Sequence, residues 1–160
     1  MIASATLWGL ILLLAVAAMQ DVYQLRISNI FPVGVFLLFP VYALAKGVDP
    51  SIWQNGAVFL AVLALGILAF GARWLGGGDV KLLAATALWF DIGGAAWLIG
   101  AIALLGAAIA LLFMVFRRVI PEPALLRSGM VSLKPRGPIP YGLGIAGGAI
   151  AAISAGHVHP

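Results

Sequence analysis

The sequence predicts an all-α, polytopic membrane protein: a bundle of about six transmembrane helices with the N-terminus outside. Three observations predict it. Of the 160 residues, 64% are hydrophobic and only 9% are charged, whereas water-soluble domains carry about 45–50% apolar and about 25% charged residues. The apolar residues come in runs of helix length separated by short polar breaks, and the basic residues collect in alternate breaks. The same composition bounds function. The chain has no cysteine, which excludes disulfides, zinc thiolate sites and cysteine nucleophiles. The net charge of +4 forms no basic stripe interleaved with aromatics, so no nucleic-acid partner is expected; these charges read as topology signals beside a lipid bilayer.

A spanning helix needs about 20 mostly apolar residues. Residues 3–20 supply the first. No Lys or Arg precedes this run and the first basic residue is Arg26, so it reads as a retained helix rather than a cleaved signal peptide. Residues 30–45, opening "IFPVGVFLLF", supply a shorter second helix with a bend expected at Pro40. "KGVDPS" at 46–51 is a polar break with a turn-forming Asp-Pro pair. Residues 52–72 form the third span and 79–90 a short fourth. "DIGG" at 91–94 breaks the pattern, and 95–116 make a long fifth. From Arg117 to Pro138 the chain turns polar, with "RRVIPEP" and "SLKPRGP". A glycine-rich apolar run over 141–155 closes it. No internal repeat is visible, and residues 1–160 read as one membrane-embedded domain.

Basic residues orient such a chain, because they accumulate in the inner loops. With the N-terminus outside, the inner loops hold Arg26, then Arg73 and Lys81, then Arg117, Arg118, Arg127, Lys134 and Arg136, leaving only Lys46 outside. The opposite orientation reverses that distribution.

This threading sorts the five acids. Asp21 ends helix 1 and Asp79 begins helix 4, both at the inner face. Asp49 and Asp91 fall outside, and Glu122 lies in the polar inner loop. Asp79, in "WLGGGDVKLL" at 74–83, can be read as an ordinary helix N-cap behind a glycine turn. Yet a helix from Gly78 to Phe90 rises only about 20 Å, short of a hydrocarbon core about 30 Å thick. "GGGD" therefore sits below the membrane surface, where irregular backbone must be buried by protein or lined by water and a carboxylate is a functional candidate. Asp21, in "MQDVYQLRISN", can be read as a juxtamembrane acid paired with Arg26. Together the two carboxylates suit general acid–base chemistry on water: close like charges resist double ionisation, so one member can activate water while the other donates a proton.

"GGGDVKLL" at 76–83 resembles the Gly-x-Gly-Asp-x-Lys-Leu motif of the type IV prepilin peptidases, with glycines at 76 and 78, Asp79, Lys81 and Leu82. "DVYQLRISN" at 21–29 is similar to that family's first-aspartate segment, an Asp followed by basic-Ile-Pro-Asn, with Ser28 where the family has proline and a looser turn expected there. "PIPYG" at 138–142 resembles the Pro-aromatic-Gly start of its last helix. The likeness runs from about residue 5 to 155. Without the cysteine pairs of the long, two-function enzymes, the chain is similar to the short, protease-only form found with Flp or Tad pili. The resemblance implies an aspartyl protease in the bacterial inner (cytoplasmic) membrane. It would cut the basic leader from a prepilin on the cytoplasmic side, next to the substrate's apolar helix, with Asp21 and Asp79 catalytic.

Around them, Gly76, Gly77 and Gly78 are expected to give backbone freedom and room for an extended substrate, with Arg26 as site support. Lys81, two residues after Asp79, falls on a different helix face and either assists electrostatically or snorkels to the interface. His157 and His159 invite a metal reading but lack further ligands, so neither metal nor cofactor is expected. Two alternatives stay open: a small proton- or cation-coupled transporter component using the same acids as relays, and an inactive subunit of a pilus or secretion assembly. The transporter reading expects acids near mid-membrane and broken helices in repeated halves.

Overall fold

The structure, a computed structural model, describes residues 1–120, 131–133 and 137–158. Glu122, Arg127, Lys134, Arg136 and His159 lie outside the described residues. Among those described there are six α-helices and no strands: α1 (Ile2–Gln24), α2 (Ile30–Lys46), α3 (Trp53–Gly71), α4 (Gly77–Ala87), α5 (Ile92–Val119) and α6 (Tyr141–Ser154). Short 3₁₀ turns precede α3 at Pro50–Ile52 and lie between α5 and α6 at Val131–Leu133. The molecule is a polytopic helical membrane protein.

Three helical stretches are long and apolar enough to cross a bilayer: α1, α3 with its leading 3₁₀ turn, and α5. Helices α2, with 17 residues, and α6, with 14, are apolar but shorter. The shortest is α4, whose 11 residues rise only about 16 Å. Hydropathy alone predicts the fourth helix over residues 79–90. Instead the helix begins two residues earlier, because Asp79 in its first turn accepts from the Gly76 N–H and so draws Gly77 and Gly78 into the helix. At the other end α5 begins at Ile92 for a similar reason: the Asp91 carboxylate caps the turn, accepting from Gly94 N–H at 2.6 Å. It runs on to place Arg117 and Arg118 in its last turn, where cations meet the negative end of the helix dipole.

A short helix inside a bilayer leaves backbone groups that water cannot satisfy. Here protein surrounds them. Leu82, Ala84, Ala85 and Ala87 are buried, as are Trp89 and Phe90 in the turn that follows. The Leu88 carbonyl accepts from Asn55 Nδ2 of α3 at 3.1 Å, and Trp89 Nε1 donates to the Val35 carbonyl of α2 at 3.1 Å. The Trp89 ring meets Phe39 edge-on and packs against Tyr42. Helix α4 is thereby fixed to α2 and α3, while α1 packs between α2 and α6.

Helices α5 and α6 approach closely through small residues. A Cβ on Gly144 would lie 3.0 Å from Gly106 Cα, and one on Gly148 would lie 2.6 Å from the Ile102 backbone nitrogen. Large apolar side chains such as Trp8, Leu44, Leu65, Leu104 and Leu111 point outward, as a lipid-facing surface requires. The connections place the end of α1, the start of α4, the end of α5 and the start of α6 at one pole of the bundle.

Candidate active site

Asp21 lies in the last turn of α1 and is 4% exposed. Its Oδ2 accepts from the Gly142 backbone N–H, in the first turn of α6, at 2.8 Å. The carboxylate thus takes its hydrogen bond from a helix N-terminus, where N–H groups lack intrahelical partners, rather than from Arg26, which is exposed at the rim. Helix α1 stops where Leu25 adopts the left-handed conformation, φ 52° and ψ 36°, its N–H donating to the Asp21 carbonyl at 2.8 Å. That turn sends residues 25–29 back across the pole. Ser28 N–H donates to Gln20 Oε1 at 2.8 Å, a bond that a proline there could not make. The turn expected to be looser for want of a proline is tied by this alternative.

Asp79 is half-buried. Its Oδ2 accepts from Gly76 N–H at 3.2 Å, so the capping reading of the sequence is partly right. Its Oδ1 is buried and has no partner among the described residues. A carboxylate oxygen that is shielded and unsatisfied is costly unless something else binds it.

The two acids, distant in sequence, face one polar cavity of about 600 Å³. They are near enough to interact electrostatically. Every residue expected at the site lines this cavity: Arg26, Gly76, Gly77, Gly78 and Lys81 together with Asp21 and Asp79. A second, more apolar groove of about 930 Å³ also reaches the same two acids, between the α3–α4 turn, the end of α5 and the start of α6; Phe70, Trp74, Met114 and Tyr141 are among its walls. The acids stand at the junction of a polar bowl and an apolar groove.

Lys81 reaches neither acid. Its Nζ donates to Asn29 Oδ1 at the start of α2, at 3.0 Å, which ties α4 to the loop after α1. Its long side chain reaches the shared cavity although its backbone lies on a different face from Asp79. Asp49 caps the turn before α3, accepting from Ser51 N–H at 2.7 Å, and Asp91 caps α5; neither lines the cavity. His157 stacks its ring on Trp97 at 4.8 Å.

The profile of the type IV leader peptidase family matches residues 8–116. The chain belongs to that family. The matched stretch contains every residue of the polar cavity of this leader peptidase family member, both acids included. No curated protein and no solved structure matches the chain significantly.

Two residues outside the sequence-stated set hold the site together. Ile27 is buried and wedged between the starts of α4 and α6: a Cβ on Gly78 would lie 3.0 Å from Ile27 Cβ and 3.1 Å from its carbonyl, and one on Gly142 would lie 2.8 Å from Ile27 Cδ1. Gly142 also sits against Asp21, its hypothetical Cβ 2.9 Å from Oδ2. The signal for Ile27 is that it stands alone as an apolar residue in the polar "RISN" loop. Gly142 had only its place in "PIPYG".

Proposed function

We propose that the protein is a membrane aspartyl endopeptidase that removes the basic leader from Flp-type prepilins, working at the cytoplasmic face of the bacterial inner membrane. The observation that carries this reading is the convergence of Asp21 and Asp79, from separate helices, on one cavity at one pole of the bundle. Family membership supports peptide-bond cleavage, and the bias of basic residues toward that pole supports a cytoplasmic site.

In this mechanism one aspartate is ionised and the other protonated, because two close carboxylates resist carrying two charges. The ionised member takes a proton from water as the water oxygen attacks the scissile carbonyl; the protonated member donates to the carbonyl oxygen. Collapse of the tetrahedral intermediate breaks the C–N bond. The water oxygen remains on the new leader carboxylate, and a proton passes to the departing amine. The unpartnered Asp79 Oδ1 suits a water or a substrate oxygen. A prepilin has a polar leader followed by an apolar helix, and the bowl and groove that meet at the acids match those two parts in character.

The test is co-expression with candidate Flp-type prepilins followed by mass measurement of the pilin N-terminus. Loss of the leader only when this chain is present is expected. Unprocessed pilin across all candidates, with the chain folded in the membrane, would contradict the proposal.

A further inference from the structure

Sequence reading treats Arg117 and Arg118 alike, as topology charges. The structure separates them. Arg118 is exposed, whereas Arg117 is partly buried and its guanidinium donates to three backbone carbonyls: Nη1 to Gly137 at 2.6 Å, Nη2 to Pro138 at 2.8 Å, and Nη2 to Ser132. These carbonyls belong to the segment that leads into α6. From Pro138 the chain runs through Ile139, Pro140 and Tyr141 to Gly142, whose N–H holds Asp21 Oδ2 at 2.8 Å. Two prolines restrict the backbone of that strap, and Pro140 is fully buried at the start of α6. Movement at the clamped end is therefore passed along a stiff segment to the amide that orients Asp21.

We propose that Arg117 is a positioning residue for the reaction, fixing the Gly137–Gly142 strap so that the Gly142 N–H keeps Asp21 aimed at Asp79. The inference rests on the peptidase reading above. The chemistry explains why arginine stands there: a planar fork serves several carbonyls at once, whereas a lysine ammonium is a single point on a flexible stem. Arg117→Lys keeps the charge, and hence the topology signal, while losing the fork.

The experiment measures kcat and KM for prepilin cleavage by purified wild type, Arg117→Lys, Arg118→Lys and Pro138→Gly, each normalised to folded protein, with thermal midpoints recorded. Expected is a fall in kcat of about tenfold or more for Arg117→Lys with KM within about twofold, and Arg118→Lys close to wild type. A merely structural role would lower the midpoint and leave kcat per folded molecule intact. Normal kcat in folded Arg117→Lys overturns the proposal. If Arg117→Lys does not fold, Pro138→Gly decides: it slackens the strap while keeping Arg117 and the backbone carbonyl it binds at position 138, so loss of kcat at constant KM supports the proposal and normal kcat overturns it. Wild type that cleaves no prepilin would instead overturn the peptidase reading, which keeps the two failures distinct.

Discussion

At the scale of single residues, the site depends on glycines whose missing Cβ atoms make room for close approach. Gly142 is the sharpest case, pressed against both Asp21 and Ile27. Gly142→Ala should cut prepilin processing per folded enzyme by about tenfold or more, or roughly 1.4 kcal/mol of barrier, because the carboxylate or the start of α6 must shift. Gly147→Ala, on the same helix with its Cβ 3.6 Å from Leu105 Cδ1, should process normally. Equal effects of the two changes would show that general helix packing, not the contact with Asp21, is at issue. Gly78 follows the same logic: a valine there would meet the Ile27 backbone and push α4, with Asp79, away from α1. Gly78→Val should therefore lose more activity than Gly77→Ala, whose Cβ stays 3.5 Å from Phe70. Full turnover by folded Gly78→Val would remove both this packing role and the substrate-access role expected from sequence. The sequence exposed Gly76–Gly78 because they flank an acid in an apolar run. It could not expose the partner of Gly78, since Ile27 meets it only in the fold.

At the scale of elements, hydropathy located the long helices well. Residues 3–20, 52–72 and 95–116 fall within or close to α1, α3 and α5, because apolar length is the property that a bilayer selects. Helix ends were less legible. The starts of α4 and α5 depend on Asp79 and Asp91 bonding backward or forward to particular N–H groups, and glycines in those first turns read as breaks. What stabilises the short α4 was not legible, because Asn55 and Trp89 find their partners across the chain. Asn55→Leu should leave the Leu88 carbonyl without its donor at a cost of about 1–3 kcal/mol, seen as a lower unfolding midpoint in detergent. Gln54→Leu, one residue earlier and only partly buried, should leave the midpoint near wild type. An unchanged midpoint for Asn55→Leu would mean that α4 does not depend on this bond.

At the scale of the whole molecule, alternation of the helices collects the candidate chemistry at one pole and leaves Asp49 and Asp91 as caps at the other. The charge pattern predicts that the pole carrying Asp21 and Asp79 is cytoplasmic. Because the chain has no cysteine, single introduced cysteines test this cleanly. Val48 and Val119 are both exposed, at opposite poles. In intact cells whose outer membrane has been made permeable, Val48→Cys should react with a membrane-impermeant maleimide, and Val119→Cys only after the inner membrane is opened. The reverse pattern would put the cavity on the wrong side for a cytoplasmic leader. The central claim, that Asp21 and Asp79 act as one catalytic unit, is tested most directly by prepilin cleavage in four folded proteins: wild type, Asp21→Asn, Asp79→Asn and the double variant. Each single change should abolish leader removal and the double should be no worse, since members of one catalytic unit are not additive, while Asp49→Asn and Asp91→Asn cleave nearly normally. Full processing by folded Asp79→Asn, or by folded Asp21→Asn, would contradict the claim.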